Sequence, residues 1–252
     1  MKITLVTVCY RSARVIRTAF ESVLAQKGAD LEYIVVDGGS DDGTVEIIRE
    51  YEPKFGGRMR WISGPDEGMY DAINKGVAMS TGDAIGILNA DDRLDGEDAL
   101  AAVSASFADG IDAIYGDVRF VRGESLETVR YYSSKRWRPW MHNWGFMPAH
   151  PSVYVRREVF ARCGGYRLGY DISADFEWMV RIFCRGRVRS LYVPRCFVTM
   201  RLGGKSTAGL KAMWKLNAEN VRANRENGYF SIMPMMAPKY LFKIWGYVFR
   251  KG

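Results

Sequence analysis

Over its first hundred residues the chain repeats one pattern: a short apolar run rich in β-branched residues, a polar turn, then apolar positions at helical spacing. Residues 3–8 form the first run, and Val15, Ile16, Ala19, Phe20 and Val23 then line one face of a helix expected over about 13–24. Residues 33–36 predict a second strand that ends at Asp37-Gly38-Gly39-Ser40-Asp41-Asp42-Gly43; Thr44 then opens a short helix carrying Val45, Ile47 and Ile48. Residues 59–62 predict a third strand, 70–79 a helix and 84–88 a fourth strand. Such alternation predicts an α/β fold with a single, mainly parallel sheet and helices on both faces.

The pattern changes after about residue 118. Residues 131–149 crowd aromatics (Tyr131, Tyr132, Trp137, Trp140, Trp144, Phe146) among turn formers (Pro139, Pro148), which is too irregular for another strand–helix unit. A helix is expected again over 175–184 and a strand at 191–193. We therefore expect one domain over 1–205, with halves at 1–118 and 119–205, and a helical extension over 206–252.

Composition narrows the class. At 252 residues with 48% hydrophobic and 13% aromatic content, the chain can fill a globular core. No run approaches the roughly 20 apolar residues of a membrane-spanning helix. The first residues enter a strand pattern directly, so no signal peptide is expected, and the expected location is cytoplasmic. Cys9, Cys163, Cys184 and Cys196 show no C-x-x-C spacing and only two histidines are present, which disfavours both a zinc site and a disulfide framework. Of the net charge of +7, residues 201–252 contribute +8, from ten Lys/Arg against Glu219 and Glu226. In this tail Lys239, Lys243, Arg250 and Lys251 stand among Tyr240, Leu241, Phe242, Ile244, Trp245, Tyr247, Val248 and Phe249. That mixture suits a helix lying in the inner face of a membrane, and equally a terminal helix packed on the domain.

The chemistry concentrates at strand ends. The fourth apolar run closes on Asn89-Ala90-Asp91-Asp92, delivering two carboxylates to the carboxyl end of a buried strand, where open α/β sheets bind ligands. Adjacent carboxylates repel unless a cation lies between them and a substrate, and Mg2+ or Mn2+ shared with nucleotide phosphates would serve. An Asp-rich turn without a ligand is the plainer reading. Thr7, Val8 and Tyr10 could hold a flat base, and Asp37 could accept from a ring N–H or from ribose. Asp66 and Lys75 lie on the segment between the third and fourth strands, where Lys75 could meet ribose or phosphate or simply be solvated. Neither a G-x-G-x-x-G after the first strand nor a P-loop is present, so any nucleotide would be held by carboxylates and metal.

Taken in order, Thr7-Val8-Cys9-Tyr10, Val35-Val36-Asp37-Gly38-Gly39-Ser40-Asp41-Asp42-Gly43-Thr44, Asp71-Ala72-Ile73-Asn74-Lys75-Gly76 and Leu88-Asn89-Ala90-Asp91-Asp92 resemble the family 2 glycosyltransferases over roughly residues 1–205. The likeness is greatest to the bacterial branch that builds exopolysaccharide or lipopolysaccharide units of the colanic-acid type. The resemblance implies the glycosyltransferase-A fold, a UDP-sugar donor, a divalent cation (Mn2+ or Mg2+) and inversion at the anomeric carbon. It implies that Asp37 contacts uracil with Tyr10 against it, that Thr7, Val8, Asp66, Lys75, Asn89 and Ala90 complete the nucleotide-sugar site, and that Asp91, aided by Asp92, holds the metal. Asn89 departs from the first aspartate of the family's D-x-D motif. In Ser173-Ala174-Asp175-Phe176-Glu177, Asp175 matches the expected catalytic base, with Ala174 in place of its acidic neighbour, Glu177 as the reserve and a helix N-cap as the other reading of Asp175. His150 would border the acceptor or be a structural histidine, and Arg201-Leu202-Gly203-Gly204-Lys205-Ser206 would be a lid or an ordinary surface loop.

The expected activity is thus inverting, metal-dependent transfer of a sugar from a UDP-sugar to a hydroxyl of a lipid-linked or cell-surface glycan. A membrane surface is the expected partner of the tail, and nucleic acid is not expected. A sugar-phosphate nucleotidyltransferase and a non-catalytic membrane-docked assembly protein stay open, the latter because of Asn89 and Ala174.

Overall fold

A computed structural model describes residues 1–122, 127–201 and 209–240. Its centre is β1 (Lys2–Cys9), whose side chains are buried on both faces almost throughout. Burial on both sides explains why this strand and β2 (Asp30–Asp37) read as continuous apolar runs rather than alternating ones. β1 pairs in parallel with β2 and with β4 (Ala84–Ile87), and β2 pairs in parallel with β3 (Met59–Ser63).

The two-residue period of each strand divides the core. Ile3, Leu5, Tyr33 and Val35 point to the face covered by α1 (Ile16–Leu24), α2 (Thr44–Tyr51) and α4 (Ala99–Ser106). Val6, Val8, Ile34 and Val36 point to the other face, under α3 (Met69–Met79), α5 (Arg157–Cys163) and α6 (Ala174–Val180). On the first face Phe20, Tyr33, Tyr51 and Phe55 pack ring against ring at 5.1–6.4 Å. Such contacts add about 0.5–1.5 kcal/mol per pair beyond burial.

The second half extends the same sheet. β8 (Val153–Arg156) runs antiparallel between β4 and β6 (Ala113–Arg122), and β6 pairs in parallel with β9 (Ser190–Arg201). The short β5 (Arg93–Leu94) and β7 (Glu127–Tyr132) pair antiparallel with β9 and β6. The order is β3-β2-β1-β4-β8-β6-β9-β5, with β7 beside β6, and most paired positions are parallel. The strand expected at 191–193 is therefore the start of a twelve-residue strand, and the helix expected to 184 widens into a π turn at Arg181–Arg185. Within 131–149 the chain leaves β7 for a 3-10 turn at Pro139–Trp144.

α7 (Gly209–Glu226) packs against α6, and the chain continues to a further 3-10 turn at Met233–Met236. The possible lid at 202–206 and the tail at 241–252 lie outside the described residues. All four cysteines are free.

Gly76 sets how closely α3 approaches the sheet: a Cβ there would lie 2.4 Å from Cγ1 of the fully buried Val6. Gly76→Ala gains about 1 kcal/mol of helix propensity. It meets an overpacking cost of about 1–3 kcal/mol. We expect a net loss of stability, read as a lower denaturant midpoint; a raised midpoint would mean that α3 lifts from β1 freely.

Candidate active site

The loops leaving the carboxyl ends of β1, β2 and β4 gather on one edge of the sheet, with the segment that leads from β3 into α3. After β1, Tyr10 is exposed by 58%, with the Arg11 guanidinium 5.4 Å from its ring centroid. Arg11 itself sits at φ 49°, fastened by its amide to Ser40 Oγ (2.8 Å) and by its guanidinium to Asp41. The Thr7 side chain is buried inside the sheet, where its Oγ1 accepts from Tyr33 Oη at 2.9 Å, and Val8 is buried beside it. What these two residues offer a ligand is backbone.

Asp37 is wholly buried. Its carboxylate accepts from the amides of Gly39 (3.1 Å) and Ser40 (2.9 Å) and from the hydroxyls of Ser40 and Ser63 (2.7 Å for the latter). In this arrangement Asp37 shapes the loop after β2, and a base reaching its oxygens would have to displace one of these donors. The carboxylate beside Tyr10 is Asp66: a Cβ on Gly38 would meet Asp66 Oδ2 at 3.2 Å and the Tyr10 ring at 3.4 Å. Lys75 holds Asp66 in an ion pair and also reaches Asp71 (3.0 Å) and the Pro65 carbonyl (2.9 Å). Its ammonium is committed to setting this segment. Gly68, at φ 114°, turns the chain from there into α3 in a conformation that a side chain would resist.

At the end of β4 the chain turns sharply, with the Asp92 amide donating to Asn89 O at 3.1 Å. The two carboxylates part company here. Asp91 is half-buried, whereas Asp92 is 1% exposed and accepts from Asn89 Nδ2 at 2.8 Å. Burial, then the neighbouring charge of Asp91, push Asp92 up to about 8. This explains Asn89 physically: an aspartate could not donate to Asp92 and would add a third like charge. Asp92 is thus buried with its carboxylate bound by Asn89, while Asp91 keeps partial exposure. Ala90, 7% exposed, is packed within the turn.

Among the described residues no three His, Cys, Asp or Glu side chains converge as a metal cage. Mg2+ and Mn2+ on nucleotides do not require one. They commonly take one or two carboxylates, with phosphates and waters filling the other positions. Asp91, half-buried at the end of β4, is a hard-oxygen donor of that kind.

The other wall is built on α6. Asp175, in its first turn, accepts from Tyr70 Oη at 3.3 Å, while Tyr70 Oη also donates to Ile172 O at 2.5 Å. Burial raises the Asp175 carboxyl above its ordinary value, against the opposing pull of His150, the Phe176 amide and Tyr70. His150 Nε2 lies 2.7 Å from Tyr166 Oη, and burial lowers its own pKa. Tyr166 stacks on Tyr70 at 5.9 Å, and its backbone N–H and C=O are both bound by the Asn74 amide at 2.8 Å. Asp175, Tyr70, His150 and Tyr166 thus form one cluster.

Glu177 stands apart from it. Its carboxylate is fully buried and bound by Arg181 (2.8 Å), Arg167 (3.2 Å) and Asn227 Nδ2 (3.1 Å). It locks α6 to its surroundings and presents no oxygen to an acceptor.

Sequence reasoning missed Glu219. From α7 its carboxylate accepts three backbone amides in a row, Asp171 (3.1 Å), Ile172 (3.0 Å) and Ser173 (2.9 Å), just ahead of α6. It holds the chain that delivers Asp175. One of only two acids in a basic, helical segment was the available signal, but nothing local connects it to a site 46 residues earlier. Glu219→Ala strands those amides, and we expect a loss of about 2–4 kcal/mol in chemical denaturation, partly restored by Glu219→Gln. An unchanged midpoint in Glu219→Ala would contradict this role.

The model of the family described as glycosyl transferase family 2 matches residues 4–169. A PGL/p-HBAD biosynthesis glycosyltransferase of Mycobacterium bovis (strain BCG) is 31% identical over 188 residues, spanning 72% of this chain and 69% of its own. An uncharacterized glycosyltransferase of Mycobacterium tuberculosis is 32% identical over 191 residues, 71% of this chain and 68% of its own. Among solved structures, residues 1–349 of S. aureus TarS in complex with UDP-GlcNAc superpose with a TM-score of 0.68 at 12% identity, covering 94% of this chain and 71% of that TarS fragment. A mannosyltransferase from Pyrobaculum calidifontis in complex with GDP-Man and Mn2+ gives 0.61 at 17% identity, over 96% and 79%. At such identities the structural likeness speaks for the fold, which is the expected α/β glycosyltransferase-A type.

Proposed function

Because the chain belongs to glycosyl transferase family 2, we propose that it moves a sugar, with inversion, from a UDP-sugar to a hydroxyl of a lipid-linked or cell-surface glycan. As a glycosyltransferase it is neither the nucleotidyltransferase nor the non-catalytic protein that its sequence left open. The observation that carries the proposal is the span of one short segment. Asp66 lies beside Tyr10 and Gly38, and four residues later, at the start of α3, Tyr70 bonds Asp175. A nucleotide seated at the first pair would place its sugar toward the second.

In this reading Tyr10 lies against the base, Asp66 and the backbone of Thr7 and Val8 line its pocket, and Asp37 shapes the loop around it. Lys75 fixes Asp66. Asp91 would hold Mn2+ or Mg2+, which when bound offsets charge on the departing diphosphate. Asp175 takes the proton of the acceptor hydroxyl as that oxygen attacks the anomeric carbon from the face opposite the nucleotide. A carboxyl raised by burial accepts a proton more readily near neutral pH than an ordinary aspartate. Tyr70 and His150 border the same spot and would orient the acceptor.

The structural neighbours, one in complex with UDP-GlcNAc and the other with GDP-Man and Mn2+, support a sugar-nucleotide donor and a divalent cation. The Mycobacterium bovis relative is named for PGL/p-HBAD biosynthesis and not for an exopolysaccharide, so the acceptor is proposed no more narrowly than a lipid-linked or surface glycan.

Asp175→Asn tests the base. We expect transfer to fall by roughly 10²–10⁴-fold with donor binding retained. In the wild-type enzyme the rate should fall as pH drops through the raised pKa of Asp175, because the base must be ionised to act. Unchanged turnover in Asp175→Asn would remove the assignment.

A further inference from the structure

Residues 131–149, 181–191 and 227–240 contain no aspartate or glutamate. The fold brings all three together. The 3-10 turn at Pro139–Trp144 touches both the π turn at Arg181–Arg185 and the turn at Met233–Met236. Cys184 Sγ approaches Pro139 O at 3.7 Å, and Ser231 Oγ donates to Asn143 O at 3.0 Å. Lys135, Arg136, Arg138, Arg185 and Arg187 are exposed there and form no ion pair among the described residues. The nearest acid on the flanking helix, Glu226, is bound to Arg222 and Arg167.

Large apolar side chains stand among these cations: Phe230 is 72% exposed, Trp140 63% and Trp144 40%. They are held from beneath. His142 is buried, with Nδ1 2.6 Å from Asn224 Oδ1 and its ring against Tyr229, and Trp137 is buried against Phe183. A rigid, acid-free surface that exposes Trp and Phe beside Arg and Lys matches a lipid headgroup layer, where rings settle at the interface and cations meet anionic lipid. The chain also leaves the described residues on this side, since a Cβ on Gly145 would lie 3.1 Å from Lys239 Nζ. It then continues through Leu241, Phe242, Ile244, Trp245, Val248 and Phe249 with Lys243, Arg250, Lys251 and no acid. Leu241, Ile244 and Val248 in that run add aliphatic bulk, which a lipid layer takes up and base stacking does not use.

We propose that this face, formed by the turns at 139–144, 181–187 and 229–236, docks the protein on an anionic lipid bilayer. The inference stands on the surface and not on the transfer chemistry, and its readout needs no turnover.

The test is flotation of the full chain with phosphatidylcholine vesicles, with and without phosphatidylglycerol. The variants are Arg136→Glu/Arg138→Glu, Trp140→Ser/Phe230→Ser and, for comparison, Lys243→Glu/Arg250→Glu, with thermal melting as the check on folding. We expect binding only to vesicles containing phosphatidylglycerol, weakened by added salt and at least about tenfold weaker for the first two variants at unchanged melting temperature. Equal binding to phosphatidylcholine, no binding to either vesicle, or losses confined to Lys243→Glu/Arg250→Glu would overturn the proposal. So would retention of duplex DNA, sensitive to the same two variants, without vesicle binding. Should Asp175→Asn leave turnover unchanged while vesicles still bind as expected, only the catalytic reading would fail.

Discussion

Two side chains on successive turns of α3, Tyr70 and Asn74, join the halves of the molecule. Asn74 closes both backbone groups of Tyr166 with one amide, and Tyr70 donates to Ile172 O and to Asp175 while its ring stacks on Tyr166. α3 is set in turn by Gly76 against Val6 and by Lys75 on Asp66 and Asp71. The spacing between the proposed nucleotide pocket and the proposed base is therefore set by α3 and the segment that leads into it. Stacked against it, Tyr166, Trp178 and Phe160 form a continuous buried column at 4.7–6.4 Å. Catalytic geometry tolerates little slack, so a base carried on such support holds its place.

The carboxylates divide their labour by burial. Asp37, Asp92 and Glu177 are withdrawn from solvent and spend their oxygens on the protein, shaping one loop, one turn and one helix. Asp91 keeps partial exposure, whereas Asp66, held by Lys75 beside Tyr10, and Asp175, raised by burial beside Tyr70, are largely covered. Glu219 extends the scheme from outside the stretch matched by the family model, binding the amides ahead of α6. α7 is thereby part of the proposed catalytic unit.

The first half was legible because strands buried on both faces leave uninterrupted apolar runs, and helices between them leave a 3.6-residue period. The second half was not. β8 is four residues long, β6 and β9 carry register shifts, and β7 is half-exposed, so none of them prints a clean period. At the site, the motif residues stood at the expected strand ends, but spacing could not say which carboxylates turn inward. Asp37 and Glu177 read as ligand-facing and are internal; Asn89 read as a weakened ligand and is the donor that tolerates a buried Asp92. Glu219 was hidden because its partners are backbone amides, which leave no residue-type signature. The tail's charge was plain in the sequence, whereas the acid-free face beside it needed the fold to bring three separate segments together.

The central claim is that carboxylates, with no glycine-rich phosphate loop, hold a sugar nucleotide at the ends of β1, β2 and β4. Calorimetric titration with UDP, with and without Mn2+, on the wild-type chain and on Asp91→Ala tests it most directly. The account predicts binding that strengthens with Mn2+ in the wild type and loses that gain in Asp91→Ala. Absence of UDP binding in either condition, or a Mn2+ effect that survives Asp91→Ala, would contradict it.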